Sequence, residues 1–534
     1  MNSRIRNIVL SALIVLLSGC VDLLQEPKSF VTPENMLYDK TKMENLADAL
    51  YNALWYNNYG YNCRLQWANL RADDIIAGQL TKADPRLVIS DELRFDATVS
   101  EKDVTELYKC FYKVIQGANE MIKGIELSDT ESYDVRKKYL AEARFMRAFA
   151  YFNLVRLFGD VPAITDPTSS QDIFGNKSIG RNQVIDIYEK IIIPDLLFAE
   201  ENMDNYGRKS NNSTASKYAA KVCLADVYLN MAGWPLKQTD KYALAKDKAY
   251  EVVGKYKLVS DYGELWADSI KSSNEEHIFA LNHSVLGKTA SNYGISYVSL
   301  IENGTSWQDY LADSTFFENH PADKRRDFNF VSAYAFRAGI KYRKSSFRSY
   351  TILKQSAAID KYRDYGITSA QTGGITPIYR YADVLLIYAE AQNRADGGPN
   401  TISEGFINDL RRRAYREKFT ETNPKLPLDN PANRKINKVM ADDSDGIISK
   451  PANGDVQTGL SMEVFEKVVW DERGWEFFAE FKRWFELVRT ERVKEANLNP
   501  RVIAAGNLDN INNRYLPLPI KEVDLCGWKN NPGY

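Results

Sequence analysis

Histidine is scarce in this chain: three residues in 534 (His277, His283 and His320), with no HExxH spacing, so no histidine-based metal site is expected. Cysteine is nearly as rare. Cys63, Cys110, Cys223 and Cys526 form no CxxC pair, and a chain of this size needs no disulfide scaffold, so free structural thiols are expected. An excess of either charge is missing too. Lys+Arg number 69 against Asp+Glu 71, a formal net charge of -2, without the basic stripe expected of a nucleic-acid binder. Beyond residue 20 no stretch approaches the roughly 18 uninterrupted apolar residues of a membrane span. Catalytic signatures are absent as well: no GxSxG elbow, no P-loop, no GxGxxG and no cysteine close to a histidine in sequence. The one enzymatic reading left is a glycosidase using two carboxylates, Asp73 or Asp74 with a distant partner. With 71 acidic residues to choose from, that signal is nearly empty. No cofactor is implied.

The first twenty residues read as an address. Arg4 and Arg6 precede an apolar stretch over 8–17, about ten residues and too short to cross a bilayer. It ends in Leu17-Ser18-Gly19-Cys20, the pattern of a lipoprotein signal. Residues 1–19 are then expected to be removed and Cys20 acylated; the competing reading is an ordinary signal peptide with a chance cysteine. Each buried acyl CH₂ contributes about 0.8 kcal/mol, so a multiply acylated end holds a water-soluble body to a membrane. Asp22 is compatible with onward export to the cell surface. Residues 20–35, with Pro27 and Pro33, form a tether.

What the chain has in abundance is aromatic side chains: 32 Tyr, 23 Phe and 9 Trp, 12% of residues. Most must pack in a core, and Tyr and Trp also suit surfaces that meet ligands with a flat apolar face and a polar edge. Helical periodicity dominates to about residue 260. The clearest stretch is 133–158, where Leu140, Ala143, Arg147, Ala150, Tyr151, Leu154 and Phe158 share one face and Phe145, Phe149 and Phe152 form a second row. Such a helix is buried on two sides, and Gly159-Asp160 with Pro162 ends it. Further helices are predicted at about 36–56, 101–124, 182–201, 214–231 and 240–254. Alanines at 219, 220, 225, 243 and 245 allow close helix approach, the texture of tetratricopeptide-like pairs without a strict 34-residue period. From 261 to 378 Gly, Ser, Asn and isolated aromatics predict short strands and loops. Helices return at about 379–395, 402–415 and 461–491. The expected organisation is one unit over 36–534, with 36–260 and 379–534 as helical frame and 261–378 as a loop-rich binding region.

Several motifs then fall in a familiar order. A lipobox at Cys20 is followed by Ala141-Glu142-Ala143-Arg144-Phe145-Met146-Arg147-Ala148-Phe149-Ala150-Tyr151-Phe152, running on to Phe158-Gly159-Asp160-Val161-Pro162. Tyr379-Arg380-Tyr381-Ala382-Asp383-Val384-Leu385-Leu386 and Ile407-Asn408-Asp409-Leu410-Arg411-Arg412-Arg413-Ala414 come next. Near the end stand Glu472-Arg473, Glu476, Glu480 and Arg483, then Leu516-Pro517-Leu518-Pro519 and Asn531-Pro532-Gly533-Tyr534. In this the chain resembles the SusD/RagB family over nearly its whole length. Two positions depart: Glu486 stands where the family usually has Asp, and Asn530 where it usually has Gln. The resemblance implies a mostly α fold, a tetratricopeptide-like helical scaffold with a loop-rich ligand-binding region. It also implies partnership with a SusC-like TonB-dependent outer-membrane transporter, over which such proteins sit as lids.

The residues themselves suggest which motifs build and which bind. Arg147 and Arg380, inside apolar stretches, are expected to hydrogen-bond carbonyls or carboxylates between helices. Glu472, Glu476 and Glu480 repeat at i, i+4, i+8, where like charges repel, and the neighbouring Arg473 and Arg483 predict a structural salt-bridge network, with a carboxylate metal or acid/base site as the alternative. Sugar recognition needs aromatic platforms, amides and charges on loops, and two segments supply them. The first holds Arg64, Trp67, Asp73 and Asp74; the second holds Asn292, Tyr293, Tyr297 and Trp307. In starch-binding SusD-type members ligand contacts come from the corresponding segments, which by resemblance favours Arg64, Asn292, Tyr293 and Trp307. The match is complete at Asn292-Tyr293-Gly294, whereas the Trp307 stretch carries two extra residues and no tryptophan follows Asp73-Asp74. The expected function is a surface lipoprotein that captures a glycan. A peptide-capturing RagB-type protein and a ligand-free helical scaffold are the alternatives, and plain packing competes for each aromatic.

Overall fold

A computed structural model describes residues 38–54, 65, 67–78, 85–95, 101–167, 179–209, 212–266, 275–283, 296–297, 309–321, 323–330, 333–336, 339–342, 356–359, 361–362, 374–415 and 454–534. Its frame is a run of helices packed largely in chain order: α1 (Lys40–Ala53), α2 (Pro85–Glu92), α3 (Glu101–Leu127), α4 (Tyr133–Phe158), α5 (Val184–Ile187), α6 (Ile193–Asn202), α7 (Lys217–Ala232) and α8 (Lys241–Tyr250). Helix α3 packs on α4, α4 on α6, α6 on α7 and α7 on α8. Such neighbour-on-neighbour stacking is the logic of tetratricopeptide-like arrays.

Helix α4 spans the predicted residues and has two buried sides: from Tyr139 to Phe158 only Arg144 and Arg156 are less than fully buried. It stops where Gly159 adopts φ +70°, and a Cβ there would meet the Tyr515 ring at 2.9 Å. The helix expected at 182–201 is instead three pieces, because a π-helical turn (Tyr188–Ile192) separates α5 from α6 just before Pro194. Helices α7 and α8 do pack on each other, and Ala219, Ala220, Ala225 and Ala245 in them are all at 0% exposure. Ala243 faces solvent, and Ala249 takes the place expected of it.

The middle of the chain carries the strands: β1 (Ile75–Ala77), β2 (His277–Asn282), β3 (Tyr310–Asp313), β4 (Ala333–Phe336), β5 (Gly339–Tyr342), β6 (Ser356–Ala358) and β7 (Ile375–Arg380). All pairings are antiparallel, in sheets β1-β3-β6, β2-β7 and β4-β5. Two one-and-a-half-turn helices, α9 (Ser314–Asn319) and α10 (Lys324–Asn329), interrupt them, each capped by the aspartate before it. Phe279 of β2 seats the strands on the helices, its ring edge-on to Tyr51, Phe145 and Phe149.

The C-terminal part completes the frame with α11 (Tyr381–Asp396), α12 (Thr401–Tyr415), α13 (Met462–Glu476), α14 (Arg483–Arg489), α15 (Val493–Ala496), α16 (Pro500–Ala505) and α17 (Ile520–Cys526). The single helix predicted over 461–491 is broken at 477–482. There Ala479 and Phe481 take φ +56° and +61°, a left-handed backbone that neither residue type favours. The break holds the early segment in place. Ala479 N–H donates to Asp74 Oδ2 (2.9 Å), the Phe481 carbonyl accepts from Asn69 (3.1 Å), and Trp484 N–H donates to Asn69 Oδ1 (3.2 Å). Arg71, fully buried, donates to the Asn513 carbonyl at 2.6 Å and lies over the Trp484 ring, 4.1 Å from its centroid.

Candidate ligand-binding site

The charged motifs build the frame. Arg147 donates to both oxygens of Asp195 (2.7 and 2.9 Å) and to Asn119 (2.8 Å). Arg380 lies at the end of β7 and caps α11 rather than standing inside a helix. It joins Glu276 (2.9 Å), Glu476 (2.5 Å) and Glu480 (2.9 Å). Arg325 reaches Asp323, Glu472 and Glu476, Arg411 reaches Glu472, Arg413 reaches Glu276 and Glu476, and Lys361 reaches Glu480. Five cations thus meet five carboxylates, all buried. Burial alone would raise these acids, but Arg413, Arg380 and Arg325 hold Glu476 well below the usual carboxylate range, and Arg380 with Lys361 brings Glu480 down to about 2. A group this fully matched is fixed structure and leaves no charge for a ligand.

The two segments rich in aromatic and polar residues meet at the β1–β3 pair. Gly78 N–H, just past β1, donates to the Asp309 carbonyl at 2.7 Å. Asp309 N–H in turn donates to the Ser296 carbonyl at 2.7 Å, which joins two residues thirteen positions apart in the chain. Arg86, in the first turn of α2, pairs with the Asp309 carboxylate at 2.8 Å. Its guanidinium stands 5.9 Å from the centroid of the half-buried Trp67 ring. A flat aromatic face, a cation and a carboxylate therefore share one place, beside the strand that leads from Asp73.

The predicted residues fall at different places, some of them outside the described part of the chain. Trp67 belongs to this cluster. Tyr297, expected at the ligand face, is a core ring at 0% exposure, packed on Tyr310 (5.1 Å) and Tyr362 (5.2 Å). Asp74 is also interior, at 2% exposure; burial, with Asp73 beside it, pushes its carboxyl up to about 7. Its reach to Ala479 explains why an acid sits there. Asp73 is held by Arg483 (2.7 and 2.9 Å) and lines a cleft at the other end of β1. Arg64, Asn292, Tyr293, Trp307 and the expected lipidation site Cys20 lie outside the described residues. Arg86 and Asp309 were not predicted, since neither sits in a motif and only the strand pairing brings them to Trp67. Cys110 and Cys223 are free and buried, and burial pushes both thiols up to about 12, so these two are inert packing groups; Cys526 is buried as well. Among the described residues no three His, Cys, Asp or Glu side chains are grouped to hold a metal ion, and no helix is long and apolar enough to cross a membrane.

This architecture has known counterparts. Residues 293–534 match the model of the SusD family, and residues 32–229 match that described as "Starch-binding associating with outer membrane". The chain belongs to the SusD family. Among SusD-family relatives, SusD-like protein P2 of Formosa agariphila is 24% identical over 544 residues, covering 98% of either chain. A crystal structure of a SusD homolog from Bacteroides thetaiotaomicron superposes with a TM-score of 0.74 at 21% identity, over 94% of this chain and 98% of that one. A laminarin-binding SusD-like protein superposes with a TM-score of 0.69 at 21% identity, over 93% of this chain and 100% of that one. The SusD fold is therefore shared across nearly the whole length.

Proposed function

We propose that this SusD-family protein captures an oligo- or polysaccharide at the bacterial surface and hands it to a SusC-like TonB-dependent outer-membrane transporter. Acyl chains on Cys20 hold it to the outer membrane, with residues 20–35 as tether. The observation that carries the reading is the convergence at Asp309. Trp67 and Arg86 meet there Asp309, which is bonded to Ser296, and the candidate residues Asn292, Tyr293 and Trp307 are near these last two in sequence. An aromatic face covers the C–H face of a pyranose, while amide, guanidinium and carboxylate groups meet its hydroxyls. Arg64 belongs by sequence to the same segment as Trp67. The laminarin-binding structural relative and the starch-binding description of the family model support the chemical class of ligand.

Capture without catalysis is part of the proposal. Hydrolysis needs two carboxylates able to reach a glycosidic bond. Of the acidic pair considered for that role, Asp74 is interior and both oxygens of Asp73 are occupied by Arg483. The test is affinity electrophoresis and calorimetry of the full chain against laminarin, starch, xylan and a peptide mixture, with reducing-end assays alongside. Retention by a polysaccharide without product supports the reading. Binding of the peptides alone, or release of reducing ends, overturns it.

A further inference from the structure

Tyr38, the first of the described residues, is fixed on α3. A Cβ on Gly124 would overlap its ring, and its hydroxyl donates to the Glu120 carbonyl at 3.5 Å. Farther along α1, Leu50 meets Gly117, where a Cβ would stand 3.0 Å from its Cδ2, and the Ala53 carbonyl accepts from the Cys110 thiol. Residues 38, 50 and 53 thus meet residues 124, 117 and 110 in turn, so α1 runs antiparallel to α3. Followed backwards through Tyr38, the chain direction points past Gly124 to the end of α3 and its turn into α4. That turn brackets the entry. The Thr130 hydroxyl donates to the Tyr38 carbonyl at 2.6 Å, and Lys40 N–H donates to the Glu131 carboxylate at 3.0 Å.

At that end stand the two most exposed large apolar side chains among the described residues, Leu127 at 58% and Tyr133 at 59%. Glu120, Gly124 and Leu127 fall on one row of α3 by helical spacing. Leu127 therefore continues the strip on which Tyr38 is seated, about 4.5 Å farther along the axis. The Lys137 ammonium stands 5.9 Å from the centroid of the Tyr133 ring and leaves that ring open. The charges nearby are matched: Lys137 pairs with Asp134, Lys138 with Asp204 and Arg144 with Glu126. Arg136 is spent on the Ile125 and Glu131 carbonyls. Such a surface suits an apolar stretch of chain, and one immediately precedes Tyr38 in sequence. Residues 30–37, which lie outside the described residues, hold Phe30, Val31, Met36 and Leu37 against a single charge, Glu34. Two extended residues, at about 3.3 Å each, cover the distance from Gly124 to Leu127.

We infer that residues 30–37 dock on the α3–α4 turn, where their apolar side chains cover Leu127 and Tyr133. This chain's own segment is the occupant because the residue that follows it, Tyr38, is already seated on the same strip. The docking does not depend on acylation. With Cys20 as the anchor proposed above, it leaves only residues 20–29 as free tether, roughly 33 Å at full extension. The α3–α4 end of the body is then the end held nearest the membrane.

Hydroxyl-radical footprinting of the full mature chain, made soluble by Cys20→Ser, tests this, because the molecule carries its own references. Tyr206 and Tyr250 are 53% and 51% exposed, close to Tyr133. Tyr133 is expected to be oxidised about fivefold more slowly than either, in proportion to the area covered. Phe30→Ser, Met36→Ser and Leu37→Ser together should bring it level with them. A melting curve establishes that this variant is folded; if it is not, the comparison within the unaltered segment decides. Equal rates for the three tyrosines there overturn the docking. So does protection that survives the three serines, or that fades on dilution, which marks a second copy. Protection seen only for acylated protein in phosphatidylcholine vesicles assigns the turn to a lipid surface and overturns it too. Polysaccharide retention measured on the same samples keeps the capture reading separate from this one.

Discussion

Arg483 grips Asp73 across 410 residues of chain, donating from Nε and Nη2 to its two carboxylate oxygens at 2.7 and 2.9 Å. Gly474 makes room for this fork: a Cβ there would approach the guanidinium carbon and Nη1 to 3.2 Å and Nη2 to 3.4 Å. The pair is almost fully shielded, with side chains 5% and 11% exposed. Asp73→Asn removes the ion pair but keeps the shape, and should destabilise the fold by about 3 kcal/mol, the range for breaking a shielded pair. Urea denaturation measures it. A loss below about 1 kcal/mol would mean that the pair behaves as a surface contact.

Glu476 accepts from three arginines at once, Arg325, Arg380 and Arg413. Glu476→Gln leaves the buried cluster with five cations against four carboxylates, one positive charge uncompensated, and should destabilise by about 3–5 kcal/mol or more. Circular dichroism melts of wild type and variant test this. A melting temperature within a degree or so of wild type is incompatible with a network that holds the frame together.

Acid should weaken the protein, with onset near neutral pH. Burial pushes the imidazoles of His277 and His320 down to about 3, against 6.5 when exposed. Between those values the unfolded chain binds more protons. The stability each contributes is thus present above pH 6.5 and is lost on acidification, at about 1.4 kcal/mol per pH unit. Asp74 works the other way. Its carboxyl is raised to about 7 in the fold, so its contribution is fully present below its ordinary 3.8 and lost as pH rises through 7. Two histidines outweigh one aspartate from pH 6 to 4. His320→Phe should flatten the stability slope over that window by about 1.4 kcal/mol per pH unit. Denaturation midpoints across the window check the sign; an unchanged slope rejects the assignment.

For the proposed ligand site, covering one face of Trp307 with sugar removes apolar area worth roughly 2 kcal/mol. Trp307→Ala should therefore weaken polysaccharide binding about tenfold to thirtyfold. Trp67→Ala should act in the same direction. Calorimetry and melts on the same samples separate site from core: unchanged affinity with a large loss of stability would move either residue into the packing.

Cys20→Ser should release the protein from membranes into the soluble fraction, because the acyl chains are the anchor proposed here. Mass spectrometry of the detergent-extracted wild type gives the complementary reading. An unmodified N-terminus beyond residue 20 would remove the anchor.

How far the sequence speaks depends on where the information lies. Helix α4 is legible because its apolar rows repeat at helical spacing and Gly159 ends it, both local properties. The arginine–glutamate network is legible in outline, since three glutamates on one stretch require cations. Its partners are not, because Lys361, Arg380 and Arg413 arrive from separate elements. The break at 477–482 has no Gly or Pro to announce it. Ala479 and Phe481 are forced into left-handed backbone by tertiary bonds such as that to Asp74. Tyr297 and Trp67 both lie in segments rich in aromatic and polar residues, yet Tyr297 is a core ring packed on Tyr310 and Tyr362 whereas Trp67 is half-buried, a difference set by tertiary packing. Arg86 and Asp309 carry no signal at all before that pairing is known.

The bonds from residues 69–74 to residues 479–513 also set an order of events. Asn69, Arg71, Asp73 and Asp74 are interior or nearly so, and their partners come from Ala479, Phe481, Arg483, Trp484 and Asn513. A chain that has emerged only to residue 470 can stack its early helices but has nothing with which to neutralise this segment. Contacts of such long sequence separation form late and slowly. The segment beside Trp67 is therefore secured by residues made about 400 positions later, so a chain cut short before them is helical before this segment is fixed.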